Sequence, residues 1–336
     1  PNPPARERKP RPSTSDVALT RPPRLRELGL GDVVATPALY PGSDPENAMY
    51  TFRGTRKSLI LKVYFGRLEN KLQGQAEALK ALSRATRRCP YLTVPRPLAW
   101  GELPDDRGSF LVLDHMKLSQ HGNLRDCEVS QAMLGKSLAK MHLAGAGEDE
   151  EGFGFPCETS LGEVVLPNRR HGEWAEFFVE ELLEGHLRAA AASLKSKGQR
   201  RLASTLESWA ADLRAAAYHH LRAEHMRDVR PSVLHGDLWT GNTACDADGN
   251  LVLLDPAGFY GHSEFDLAFQ GWEASPGFPG FSNVFYLAYH DVLPRKSGFQ
   301  QRKDLYQLVH LLNHLASFGV EYWPYVEGKA KRILAD

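Results

Sequence analysis

Two stretches, Val233-Leu-His-Gly-Asp-Leu-Trp-Thr-Gly-Asn242 and Leu251-Val-Leu-Leu-Asp-Pro256, decide how this chain is read. Asp237 precedes Asn242 by five residues, and a second aspartate, Asp255, ends a short apolar run. Leu251 to Leu254, with β-branched Val252, predicts one short buried strand that delivers Asp255 to a site. Gly249 and Asn250 just before it supply a turn. One carboxylate is then available to accept a proton, while an amide and a second carboxylate offer oxygen atoms to a hard cation.

Phosphoryl transfer needs this division of labour, because a hydroxyl must be oriented and Mg²⁺ held against phosphates. The protein-kinase catalytic loop has the same Asp-to-Asn spacing, with a metal-binding Asp further on. An isolated spacing recurs by chance, and His-Gly-Asp alone also reads as a polar turn. Here the His-Gly-Asp start, the Asn at the required offset and the strand ending in Asp all agree.

His235-Gly-Asp-Leu-Trp-Thr-Gly-Asn242, Asp255-Pro-Ala-Gly-Phe-Tyr-Gly-His-Ser-Glu264 and Leu305-Tyr-Gln-Leu-Val-His-Leu-Leu-Asn-His314 resemble the fructosamine-3-kinase (ketosamine-3-kinase) family. Leu134-Gly-Lys-Ser-Leu-Ala-Lys-Met-His142 and Gly152-Phe-Gly-Phe155 add to the resemblance, which runs from about Leu59 to Tyr322. The first motif is shared with small-molecule kinases of the aminoglycoside-phosphotransferase type, whereas the Asp255 to Glu264 run is more family-specific.

The resemblance implies an α+β, protein-kinase-like fold. A small β-rich N-lobe would cover residues 29–115 and a larger helical C-lobe residues 116–336, with ATP between them. It implies transfer of the γ-phosphate to the 3-hydroxyl of a ketosamine, on a free amine or a glycated protein. The phosphorylated adduct then falls off, so the role would be deglycation. Asp237 would accept or orient the hydroxyl proton, Asn242 and Asp255 would hold Mg²⁺, and Lys62 would contact the nucleotide phosphates. Trp239 and His314 would offer flat faces to the sugar and its amine-bearing group. Two rivals stand beside this reading: another small-molecule kinase acting on a sugar or amino alcohol, and a nucleotide-binding module that has lost turnover.

Composition sets outer bounds. A chain of 336 residues, 42% hydrophobic and 24% charged, is long enough for two lobes and reads as an ordinary globular protein. Lys+Arg and Asp+Glu balance at 41 each, which argues against a nucleic-acid or membrane-surface partner. No apolar run approaches the ~20 residues that cross a bilayer. Cys89, Cys127, Cys157 and Cys245 form no C-x-x-C pair, which argues against structural zinc and for reduced thiols in an intracellular compartment. Residues 1 to about 28, rich in Pro and Arg, predict a disordered leader. It reads either as the remains of a transit peptide, placing the protein in an organelle such as the plastid, or as a flexible tail of a cytoplasmic protein. The absence of an initiator Met suggests a trimmed or partial chain.

Along the chain, Tyr40-Pro-Gly-Ser-Asp-Pro-Glu-Asn47 occupies the place of a glycine-rich phosphate loop, yet it has one glycine and lacks the cysteine often found there in the family. It reads as a weak cradle or an ordinary hairpin turn. Ser58-Leu-Ile-Leu-Lys-Val-Tyr64 predicts a strand with Leu59, Leu61 and Val63 on one face and Ile60, Lys62 and Tyr64 on the other. A lysine there either meets an anion or snorkels from an edge strand. The following helix, Gln73 to Arg88, offers two partners for it. Family register points to Gln75, whereas residue type points to Glu77. Ala76, Leu79 and Leu82 mark the buried side, so Gln75 is expected inward and Glu77 outward beside Lys80 and Arg84.

Phe110 to Leu113 predicts a buried strand, with Asp114-His-Met116 at the inter-lobe hinge. A polar loop is expected to Ser130, and then a helix from Gln131 to Ala144 with Met133, Leu134, Leu138 and Met141 facing the core. By resemblance, Gly152 to His186 helps form the sugar-amine site. Asn168, Trp174, Phe177 and Phe178 match the family there, whereas Leu166, Arg170 and Leu182 depart from it. Trp174 reads equally well as core. Arg188 to Arg227 predicts one long helical stretch, and Asp304 to Phe318 a helix capped by Asp304 and ended by Gly319. His310 and His314 lie four apart, but no third metal ligand accompanies them.

Overall fold

The computed structural model describes residues 33–37, 47–54, 58–65, 71–102, 108–119, 124, 127–146, 151–269, 271 and 280–336. The leader, residues 40–46 of the expected phosphate loop and most of the acidic run at 148–151 lie outside the described residues. Alternation in Ser58–Tyr64 produces strand β3, whose Leu59, Leu61 and Val63 are buried while Lys62 is half-buried. β3 is central in an antiparallel five-stranded sheet ordered β1-β2-β3-β6-β5. The other strands are β1 (Val33–Pro37), β2 (Asn47–Gly54), β5 (Pro97–Glu102) and β6 (Ser109–Asp114). Register sets Lys62 between Met49 and Leu111, so the lysine stands mid-sheet and not at an edge.

Helix α1 (Lys71–Thr86) packs Ala76, Leu79 and Leu82 inward and lies against β5 and β6. After Asp114 the chain is mainly helical: α2 (Glu128–Ala144), α3 (Glu184–Ser196), α4 (Arg200–Leu221), α5 (Asn283–Val292), α6 (Phe299–Ser317) and α7 (Trp323–Ala335). α2 pairs with α5, α3 with α4 and α6, and α7 with α6. Two short ladders hold the loops between the helices. β9 (Ser232–Leu234) runs antiparallel to β12 (Phe259–Gly261), and β10 (Thr243–Cys245) pairs with β11 (Leu251–Leu253), which also pairs parallel with β4 (Leu92–Thr93). A hairpin of β7 (Thr159–Leu161) and β8 (Val164–Leu166) precedes α3.

Several local expectations are corrected. α2 starts at Glu128, and Met133 is 38% exposed. Its buried stripe is Leu134, Leu138 and Met141, at i, i+4 and i+7, and Met133 lies one residue off that line. The predicted single helix from Arg188 is two, parted by Gly198 in the left-handed region at φ 78°. α6 starts at Phe299, after Gly298, so Asp304 is no cap. It is buried inside the helix, where its carboxylate accepts from Lys329 at 2.5 Å. Buried Arg302, two residues earlier, grips Glu264 with Nε and Nη2 at 2.7 and 2.9 Å, tying α6 to the segment after β12. Among the described residues no helix is long and apolar enough to cross a membrane.

Candidate active site

The loop after β9 is shaped before any ligand arrives. His235 is buried, and its Nδ1 accepts from the Asp237 backbone N–H (3.2 Å) while Nε2 meets the Leu254 carbonyl (2.7 Å). Those two bonds demand a neutral ring with the proton on Nε2, and burial lowers the His235 pKa in the same sense. His235 therefore ties the loop to the end of β11, as an orienter and not a reacting group. Gly236 sits at φ 80°, against the Phe259 ring and Ala257, where a side chain would be strained.

Beneath the loop lies a residue that the sequence did not flag. Asp266, its side chain fully buried, accepts from the backbone N–H groups of His235 (2.8 Å) and Gly236 (2.7 Å) and meets His142 Nε2 at 3.2 Å. It lies two residues beyond the Asp255 to Glu264 run, but nothing local marks it as a loop anchor.

On this foundation Asp237 stands half-buried, and Asn242 Nδ2 donates to both its backbone carbonyl (2.9 Å) and its carboxylate (3.1 Å). Burial pushes the Asp237 carboxyl up to about 7, with Asp255 and Asp266 adding to the rise and the Asn242 bond opposing it. Asn242 is itself fixed where its backbone carbonyl accepts from the Leu254 N–H at 2.9 Å. The next residue, Asp255, has φ 52°, a left-handed conformation uncommon for a non-glycine residue. Such backbone strain persists only where the surroundings impose it, often at a functional site.

Lys62 Nζ donates to Asp255 Oδ1 at 2.7 Å and to Gln75 Oε1 at 3.1 Å. Glu77 faces away, accepting from Lys80 at 2.9 Å. The inward helix position is therefore a neutral amide, and the carboxylate paired with Lys62 comes from Asp255. Ala78 meets Gly258 so closely that a side chain on the glycine would lie 2.2 Å from it, which sets α1 directly on the Asp255 segment.

Asn242 and Asp255 supply amide and carboxylate oxygen, the donor chemistry of a hard cation, and the Asp255 side chain is about half exposed. Elsewhere among the described residues, His171, Glu180 and Glu181 group tightly enough to suggest a metal. Arg169 Nε, however, donates at 2.8 Å to the same Glu181 oxygen that His171 meets at 3.1 Å, so a cation is already in place.

The expected substrate residues have different settings. Trp239 is half-buried beside Asp237 with its indole folded over Gly241, where any side chain would collide with the ring at 2.0 Å. His314 is buried on α6 with its ring against Phe318 (5.5 Å) and Tyr322 (5.1 Å), and burial lowers its pKa to about 4. Asn168, Trp174, Phe177 and Phe178 are all buried. Trp174 belongs to an aromatic core, stacked on Phe177 and Phe259 and donating to the Tyr306 hydroxyl at 2.9 Å. Leu166 and Leu182 are fully buried as well, so those departures from the family are packing positions. Arg170 is more open, lying over the Tyr260 ring at 5.6 Å.

Comparison with known proteins yields concordant matches. Residues 42–336 match the family model described as fructosamine kinase. A protein-ribulosamine 3-kinase, chloroplastic, from Arabidopsis thaliana is 34% identical over 251 residues, 74% of this chain and 68% of its own length. A ketosamine-3-kinase from Mus musculus is 33% identical over 316 residues, 88% of this chain and 94% of its own. A crystal structure from Thermobifida fusca, of a protein named after fructosamine-3-kinase, superposes with a TM-score of 0.68 at 26% identity, covering 94% of this chain and 99% of that one. An aminoglycoside phosphotransferase crystallised with ADP and hygromycin B shares the fold at a TM-score of 0.57 and 13% identity, over 93% of this chain and 97% of its own.

Proposed function

Because this chain belongs to the fructosamine kinase family, we propose that it is an ATP-dependent ketosamine 3-kinase. The observation that carries this reading is the Asp237 carboxylate, oriented by Asn242 next to a Lys62–Asp255 pair. ATP binds between a lobe of residues 29–115 and a lobe of residues 116–336. Lys62 leaves Asp255 to contact the phosphates. Asn242 and Asp255 would hold Mg²⁺, which would neutralise phosphate charge. Asp237 hydrogen-bonds the sugar 3-hydroxyl. As that oxygen bonds to the γ-phosphorus and ADP leaves, the hydroxyl proton passes to Asp237. A carboxylate raised to about 7 suits this task, because a general base works best with a pKa near the operating pH. Trp239 and His314 contact the sugar and its amine substituent, and a neutral His314 can serve as a flat, uncharged wall. The acceptor in this reading is a ketosamine, carried on a small amine or on a glycated protein.

The test is ATP consumption and product phosphorylation with a ribulosamine, a fructosamine, free sugars and amino alcohols. Ketosamine-selective turnover is expected. Selectivity for a free sugar or amino alcohol would replace the substrate assignment. No turnover with any acceptor, alongside intact nucleotide binding, would favour a binding module.

A further inference from the structure

Lys62 lacks the carboxylate on α1 that would hold it toward a nucleotide, since Gln75 gives only a neutral hydrogen bond. The β7–β8 hairpin supplies a different restraint. At its turn, Gly162 adopts φ 58° and presses on α6, where a side chain would lie 2.5 Å from Asn313 Oδ1. At its base it meets α1 backbone to backbone. A Cβ on Gly74 would fall 2.3 Å from the Glu158 carbonyl oxygen.

Next to Gly162, Glu163 reaches back across the molecule. Its Oε2 accepts from the Tyr64 hydroxyl and its Oε1 from Lys71 Nζ, both at 2.6 Å, and Lys71 Nζ also lies 4.3 Å from the Tyr64 ring centroid. Burial alone would raise the Glu163 carboxyl, but hydrogen bonds from Lys71 and Tyr64 and the Lys71 charge hold it below its usual range. The two partners are spaced tellingly. Tyr64 is two residues past Lys62 on β3, hence on the same face of the strand. Lys71 is four residues before Gln75 on α1, hence on the same side of the helix. One carboxylate thus grips both elements that carry the lysine site, each one structural repeat away from the residue that matters.

We propose that Glu163 is a positioning residue for the kinase reaction, clamping β3 to α1 so that Lys62 and Gln75 stay in register without a lysine–glutamate ion pair. The hairpin touches α6 one residue before His314, so the clamp also joins the nucleotide side to the substrate side. This inference rests on the reading of Lys62 as a phosphate contact.

A mutant cycle on the full chain tests it, using equilibrium affinity for the non-hydrolysable analogue AMP-PNP with Mg²⁺, and melting temperature. Glu163→Ala is expected to weaken AMP-PNP binding by roughly three- to tenfold, the worth of a partly buried charge-assisted pair. Gln75→Glu restores an ion pair to Lys62 and should bring the double variant back to within about twofold of the parent. A role in folding alone would lower the melting temperature without that rescue. Unchanged affinity in Glu163→Ala, or the same loss in both Gln75 backgrounds, would overturn the proposal. If Glu163→Ala does not fold, Glu163→Gln, which keeps a hydrogen-bonding oxygen and loses the charge, is read by the same two criteria. Failure of the parent to phosphorylate any ketosamine overturns the substrate assignment and leaves the AMP-PNP cycle readable.

Discussion

Replacing Asp266 by Asn probes the foundation of the site without touching a reacting group. The carboxylate uses one oxygen for the Gly236 N–H and the other for the His235 N–H and His142. An amide matches one of these positions and turns an NH₂ donor toward a backbone donor at the other. One charge-assisted bond, worth about 1.5–3 kcal/mol, is lost, and a buried N–H is left unsatisfied at about 1–3 kcal/mol. The Asp266 side chain has no exposed surface, so water cannot step in without rearrangement, and a loss of about 3–5 kcal/mol is expected. The loop carries Asp237, and a shift of about 1 Å at a reacting group can cost on the order of 10²-fold in rate. Urea unfolding and ketosamine phosphorylation measured on one preparation check both numbers. An Asp266→Asn protein with unchanged unfolding midpoint and unchanged kcat would refute the argument that this carboxylate holds the loop.

Four further outcomes are expected. Asp237→Asn should reduce phosphorylation by about 10²–10⁴-fold, the usual share of a general base, while AMP-PNP affinity persists; full activity would remove Asp237 from the mechanism. Gln75→Ala should weaken ATP use by up to roughly tenfold, whereas Glu77→Ala, which loses only a half-exposed pair with Lys80, should be nearly silent at about 0–1 kcal/mol; steady-state kinetics with varied ATP separates them. Activity should require Mg²⁺ or Mn²⁺ and survive a zinc-selective chelator, and loss on removing zinc alone would contradict the oxygen-ligand assignment. Burial holds His186 and His262 at about 4, below the ~6.5 of an unfolded histidine, so the unfolded chain binds more protons between those values. Their contribution to stability should be intact above about pH 6.5 and be lost as pH drops toward about 4, by on the order of 2 kcal/mol per histidine at pH 5. Against the two together stands a smaller opposite change from Asp237, whose raised carboxyl favours the folded state as pH falls below about 7. Urea titrations at pH 7 and 5 measure this, and equal stabilities would contradict it.

The chain alone pointed to the residues that meet at the candidate site because the relevant signals are local. The loop from His235 to Asn242, the strand that ends at Asp255 and the alternation around Lys62 each lie within a few residues. The inward direction of Gln75 was legible for the same reason: residues two apart on a helix face opposite ways, and Ala76, Leu79 and Leu82 marked the buried side. Met133 and Asp304 defeated that kind of reading. Periodicity shows that a helix has an apolar stripe, but the helices packed against it decide where the stripe ends. Capping preference names a good first residue, yet Gly298 and the buried Arg302–Glu264 pair place the start of α6 upstream of Asp304. Asp266 lies 31 and 30 residues from the N–H groups it accepts, and Glu163 lies 99 and 92 residues from Tyr64 and Lys71. Side chains so far apart along the chain meet only once sheet, hairpin and helices are packed. A polar residue's partners at that range follow from tertiary geometry, because neither propensity nor spacing extends beyond the element that carries it.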